Sequence, residues 1–215
     1  MYSLFPLPSI EEFPCLLESH PLLCGLNVTI PYKEEVIKYL DSVSEEAREI
    51  GAVNVIRIEE KAGKKFLLGY NSDYEGFMHT LPELLPRHVD SALILGTGGA
   101  AKAIKYALGK LDIKASFVSR RPDAGDFTYE ELDENIMKDN LLIVNATPAG
   151  MSPDIDSFPP IPYHLLSYRH LCYDLVYNPE VTQFMLLSAK HGAAVKNGYG
   201  MLIEQAKAAA RIWNI

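Results

Sequence analysis

The sequence predicts an α/β fold: a doubly wound parallel sheet forms most of the chain, and a smaller α/β region accompanies it. Three observations carry this. From Ala92 onward, short apolar runs alternate with helix-like segments, the pattern of parallel strands joined by crossover helices. Ala92 to Leu108 reads ALILGTGGAAKAIKYAL, an apolar strand running through a glycine turn into small and apolar residues at helical spacing. Before that stretch the rhythm differs, with closely spaced cap signals and one hairpin signal.

Taken in order, Ser9 with Glu12 forms a capping pair that opens a short helix, which Pro14 kinks or restarts. Leu22 to Ile30 reads as a buried strand. Pro31 suits the first position of a helix running to Leu40, with Val36, Ile37 and Leu40 inward and Lys33 in the first turn. A second short helix starts at Ser44 and stops near Gly51. Val53 to Ile58 and Lys65 to Tyr70 form a hairpin around Ala62 and Gly63, and Asp73 begins the next helix. Parallel strands follow at Ala92 to Leu95, Ala115 to Val118, Leu141 to Asn145, Leu171 to Leu175 and Ala194 to Lys196. One intervening helix is announced by the capping pair Thr128 and Glu131, another runs from Thr182 to Lys190. The last helix, Tyr199 to Trp213, carries Leu202, Ala206, Ala209 and Trp213 on one side.

Composition narrows the function. The chain has 215 residues, 48% apolar and 22% charged, and a formal net charge of -8. That charge argues against nucleic acid or anionic membrane as the main partner, leaving small molecules. No apolar run is long enough to cross a bilayer. The six histidines show no metal-ligand spacing, so no metal is expected. Cys15, Cys24 and Cys172 are scattered without a C-x-x-C pair, which predicts a reducing, cytoplasmic setting.

Six stretches could carry chemistry. Gly96, Gly98 and Ala101 stand at the G-x-G-x-x-A spacing of a dinucleotide turn, where glycines admit a pyrophosphate to the start of a helix. Arg120 and Arg121 end the next strand, where arginine suits the 2′-phosphate of NADP. Thr147 and Met151, in NATPAGM, follow another strand and are placed to line the nicotinamide side. Lys33 reads either as a solvated lysine or as a proton-transferring one. Asn54 lies among apolar residues and needs partners, from backbone or from a hydroxylated ligand. Asp73 is an N-cap or a functional acid.

Together NVTIPYK, IGAVN, GYNSD, GTGGAA, NATPAGM, DLVYNP and NGYGMLIEQA resemble the shikimate dehydrogenase family over almost the whole chain. The resemblance implies reversible reduction of 3-dehydroshikimate to shikimate with NADPH, on the route to aromatic amino acids. It implies a substrate domain at residues 1–78 plus 199–215 and a Rossmann-like NADP domain at 79–198. Lys33 and Asp73 match the catalytic pair. Asn27, Thr29, Asn54, Tyr177 and Gln205 match substrate contacts. Gly96, Thr97, Gly98, Gly99, Ala100, Ser119, Arg120, Arg121, Thr147, Leu175 and Gly198 match cofactor contacts. The family's Asn-Arg-Thr reads Ser119-Arg120-Arg121 here, keeping the arginine. The family's first strand and S-x-S serine motif find no counterpart, so a substrate domain truncated at its N-terminus is expected. The alternatives are a quinate-type polyol-acid dehydrogenase and a shortened, non-catalytic nucleotide-binding homologue. A monomer or homodimer is expected.

Overall fold

Two sheets organise the protein, one in each of two units, and the computed structural model describes residues 2–81, 85 and 89–215. The first unit contains the residues up to Ser72 together with Ala209–Ile215. Ser9 caps a 3-10 turn at Ile10–Glu12, which passes directly into α1 (Phe13–Ser19). Pro14 falls in the first turn of α1, where its missing N–H leaves no helical bond unmade. The strands are β1 (Gly25–Asn27), β2 (Ser42–Val43), β3 (Val55–Lys61) and β4 (Lys64–Tyr70), and α2 (Glu45–Ile50) lies between β2 and β3. Their sheet order is β1-β3-β4-β2, with β2 parallel to β4 and the other pairs antiparallel. The hairpin forms where the sequence places it, with Ala62 and Gly63 at φ 52° and 73° as a two-residue turn requires. Ser44 and Gly51 cap α2, Gly51 in the left-handed region at φ 73°. Ile10, Phe13, Val36, Ala47, Val53 and Ile56 fill the core.

Two expectations fail here. The strand predicted over Leu22 to Ile30 shrinks to three residues, and Leu22 and Ile30 are 93% and 59% exposed. Past Asn27 the backbone leaves the ladder, and the Val28 N–H bonds the Asn54 carbonyl instead. Nor does Pro31 open an α-helix. Residues 31–34 form turns, followed by a 3-10 helix at Glu35–Tyr39. The Lys33 carbonyl accepts the Val53 N–H at 2.7 Å, so it is withdrawn from helical bonding. Lys33 therefore stands in the turn before that 3-10 helix and not in the first turn of an α-helix.

The second unit, Asp73–Ala208, begins with α3 (Asp73–Thr80). It continues through β5 (Ser91–Leu95), α4 (Gly99–Lys110), β6 (Lys114–Ser119), β7 (Phe127–Thr128), α5 (Glu134–Asp139) and β8 (Leu142–Asn145). Then come β9 (Leu171–Asp174), α6 (Gln183–Lys190), β10 (Ala194–Lys196) and α7 (Tyr199–Trp213). Its six strands are all parallel in the order β10-β9-β8-β5-β6-β7. Alternate strand residues face opposite layers. Ala92 and Ile94 pack with Phe77, Ile104, Leu108 and Met201, whereas Leu93 and Leu95 pack with Met137, Phe184 and Met185.

Thr128 and Glu131 do form a reciprocal capping box, but it closes only a 3-10 turn at Tyr129–Glu131; α5 begins later, capped by Asp133. On α7 the buried positions are Met201, Ala208 and Ala209, and Ala206 is exposed, so the inward stripe is rotated from the predicted one. A Cβ on Gly76 would stand 2.8 Å from the Met201 carbonyl oxygen, which shows how closely α3 and α7 approach. The end of α7 belongs to the first unit: Trp213 lies on Gly25 and donates its indole N–H to the Ile56 carbonyl at 3.0 Å.

Candidate active site

In the first unit, backbone bonds bring two sequence-distant stretches together. Val28 donates to the carbonyl of Asn54 at 2.8 Å, and Val53 donates to that of Lys33. The stretches that hold Asn27, Thr29, Lys33 and Asn54 thereby lie next to one another. Thr29 is exposed, Lys33 half-buried and Asn54 buried. The Asn27 amide donates to the Tyr2 hydroxyl at 3.0 Å. Asn54 has a protein partner as well: its Oδ1 accepts the Ser72 N–H at 2.7 Å and its Nδ2 donates to Ser72 Oγ at 3.1 Å.

The remaining predicted residues lie in the second unit. Asp73 is the first residue of α3 and is buried. Gln205 sits on α7 against Gly76, one turn along α3 from Asp73, and donates to the Leu202 carbonyl. Tyr177, 47% exposed, follows β9.

The predicted cofactor residues follow the carboxyl ends of five adjacent strands, in sheet order β10, β9, β8, β5, β6. They are Gly198, Leu175, Thr147, Gly96 to Ala100, and Ser119 to Arg121. The chain runs from β5 outward to β6 and β7 and returns on the other side at β8. The crevice between β5 and β8 is therefore the topological switch point, where open parallel sheets bind ligands. There Gly96 takes φ 103°, and a Cβ on it would touch Thr147 Cγ2 at 3.1 Å. Gly98 caps α4, and a Cβ on it would meet no protein atom within 4 Å. Packing does not demand glycine at 98. An open backbone at the start of a 12-residue helix suits the pyrophosphate of a dinucleotide. Ser119 is buried and its Oγ accepts the Arg121 N–H, while Arg120 and Arg121 are exposed at the end of β6. Their charge fits a 2′-phosphate.

Beneath this edge lies a buried polar cluster. Asn145 and Asp174 end β8 and β9 side by side, each fully buried. Asn145 Nδ2 donates to Asp174 Oδ1 at 2.9 Å, and Asn145 Oδ1 accepts the Thr147 hydroxyl at 2.6 Å and its N–H at 3.1 Å. Asp174 also accepts the Val176 N–H at 3.0 Å and the Thr182 hydroxyl at 2.5 Å. Burial pushes the Asp174 carboxyl up to about 6, against hydrogen bonds from Thr182, Val176 and Asn145 that favour its charged form. Neither residue is among the candidate site residues that the sequence predicts. The available signal was a polar residue closing two consecutive apolar strands, LIVN and LCYD. Among the described residues no cluster of His, Cys, Asp and Glu could hold a metal ion, and no helix is long and apolar enough to cross a membrane.

A parallel sheet with a dinucleotide turn at its switch point, together with a small mixed-sheet unit bearing a lysine and polar side chains, defines the class: a two-unit nucleotide-binding α/β protein. The sequence profile described as the shikimate dehydrogenase substrate binding domain matches residues 2–56. A shikimate dehydrogenase (NADP(+)) of Caldicellulosiruptor saccharolyticus is 35% identical over 99% of this chain and 81% of its own length. One from Clostridium beijerinckii is 38% identical over 99% and 80%. The crystal structure of the Thermus thermophilus enzyme in complex with NADP(H) and shikimate superimposes with a TM-score of 0.81 at 31% identity, covering 95% of this chain and 78% of that one. The chain belongs to the shikimate dehydrogenase family.

The match over residues 2–56 corrects the expectation of a substrate domain truncated at its N-terminus. The domain is present, and its early residues are built into it: Ile10 and Phe13 are core, and the Tyr32 hydroxyl bonds the Leu7 carbonyl at 2.9 Å.

Proposed function

We propose that this protein interconverts 3-dehydroshikimate and shikimate with NADP(H). The observation that carries this reading is the intact dinucleotide edge, with Gly98 open and Arg120 beyond β6, in a chain of the shikimate dehydrogenase family. NADPH, when bound, supplies the hydride for the substrate's carbonyl carbon. Gly96 to Ala100 hold its pyrophosphate, Arg120 and Arg121 its 2′-phosphate, and Thr147, Leu175 and Gly198 its nicotinamide half. Substrate contacts come from residues 1–78 and 199–215 with Tyr177 in addition, and cofactor contacts come from 79–198. Asn27, Thr29, Asn54, Tyr177 and Gln205 hold the ring hydroxyls and carboxylate, since amide and hydroxyl groups both donate and accept. Lys33, with three donors, and Asp73, an acceptor, hold and move the proton at the carbonyl oxygen. The three cysteines are free, which fits a reducing cytoplasm.

The test is direct: purified protein should oxidise shikimate with NADP+, followed by the absorbance of NADPH. Turnover of quinate in place of shikimate, or no turnover of either, would overturn the assignment.

A further inference from the structure

We infer that Asp174 is a positioning residue for the dinucleotide: through Asn145 on one side and the Leu175–Tyr177 turn on the other, its carboxylate sets the spacing of two cofactor-facing loops. This rests on the proposed function. Three donors converge on the carboxylate, Asn145 Nδ2, the Val176 N–H and the Thr182 hydroxyl, and each comes from a different part of the strand edge. Two of them lead outward. Asn145 grips Thr147 through both its N–H and its hydroxyl, and its amide also reaches the Ala149 carbonyl at 3.3 Å. Val176, in turn, accepts the Gly198 N–H at 3.1 Å. Thr147, Leu175 and Gly198 are thus all referred to one buried group.

A buried carboxylate is a poor way to stabilise a sheet, because apolar residues of similar size usually do as well or better. Its hydrogen bonds, however, have fixed directions, and that is what holding two loops in register needs. Asp174→Asn keeps the Oδ1 acceptor and lets the new amide donate to Thr182; Asp174→Ala removes every contact.

Nicotinamide fluorescence gives the Kd for NADPH, and initial rates give KM for NADP+ and for shikimate. D174A is expected to weaken NADPH binding and raise KM for NADP+ at least tenfold, with KM for shikimate within twofold, and D174N to recover most of the loss. N145A, which cuts the link from the other side, is expected to behave like D174A and stands in for it if D174A does not fold. Wild-type NADPH affinity in folded D174A or N145A overturns the positioning role. So does an equal rise in both KM values, which marks a general loss of structure, or a D174N variant no better than D174A. A wild-type protein that binds no NADPH overturns the functional reading and this inference together.

Discussion

Gly198 lies so close to Leu175 that a Cβ placed on it would stand 2.1 Å from the Leu175 carbonyl oxygen and 2.6 Å from its carbonyl carbon. The obstacle is backbone, which cannot swing aside as a side chain can. Gly198→Ala is therefore expected to push apart the segments after β9 and β10. A loss of about 1–3 kcal/mol in stability is expected from overpacking, read by urea unfolding, together with weaker NADPH binding in calorimetric titration. Wild-type values for both would show that the contact relaxes freely.

In the proposed function Arg120 reads the phosphate that distinguishes NADP from NAD. A hydrogen bond to a charged group is worth about 1.5–3 kcal/mol, so Arg120→Ala should raise KM for NADP+ by about 10- to 100-fold and leave NAD+ kinetics nearly unchanged. The ratio of the two specificity constants is the measurement. An unchanged ratio would move the phosphate contact to Arg121.

Lys33 is half-buried in a turn whose backbone is fastened to Val53, and its carbonyl rather than its side chain makes that bond. Lys33→Ala should leave the melting temperature close to wild type and lower kcat by about 10²- to 10⁴-fold, the usual range for a positioned proton-transfer group. Asp73→Asn should lower kcat as well. Full activity in Lys33→Ala would remove that residue from the chemistry.

Asp174 makes stability depend on pH. Its folded pKa, about 6, lies above the unfolded value near 3.9, so the fold favours the protonated carboxyl. This contribution is complete below about pH 4, declines as pH rises, and is lost above about pH 6. A gap of about two pH units corresponds to about 3 kcal/mol as an upper bound. Neighbouring Cys172, whose thiol burial pushes up to about 12, and Tyr163, raised further by burial, stay neutral across that window. The difference in unfolding free energy between wild type and D174N, measured from pH 4 to 7, should fall with pH. A flat difference would contradict it.

Much of the second unit was legible because its signals are local. The strand, glycine turn and helix from Ala92 to Leu108 each specify themselves, and the later strands are short apolar runs between cap residues. The segment around Pro31 was not, because its conformation is decided by a partner far along the chain: Val53 takes the Lys33 carbonyl, and one 3-10 turn is enough to bury Val36. The candidate residues Asn27, Thr29, Lys33 and Asn54 were visible only as separate stretches, and the backbone bonds of Val28 to Asn54 and of Val53 to Lys33 bring those stretches together. Asp174 escaped notice because its importance lies in its register with Asn145 across two strands, which spacing along one chain does not display.

The protein has a single tryptophan, and it is Trp213, seated on Gly25 with its indole bonded to Ile56. Its ultraviolet emission is therefore a built-in optical probe of the first unit alone. A melt followed at once by tryptophan emission and by far-ultraviolet circular dichroism, which averages over all helices and strands, separates loss of the last helical turn's seat from collapse of the dinucleotide sheet. No label or inserted chromophore is needed.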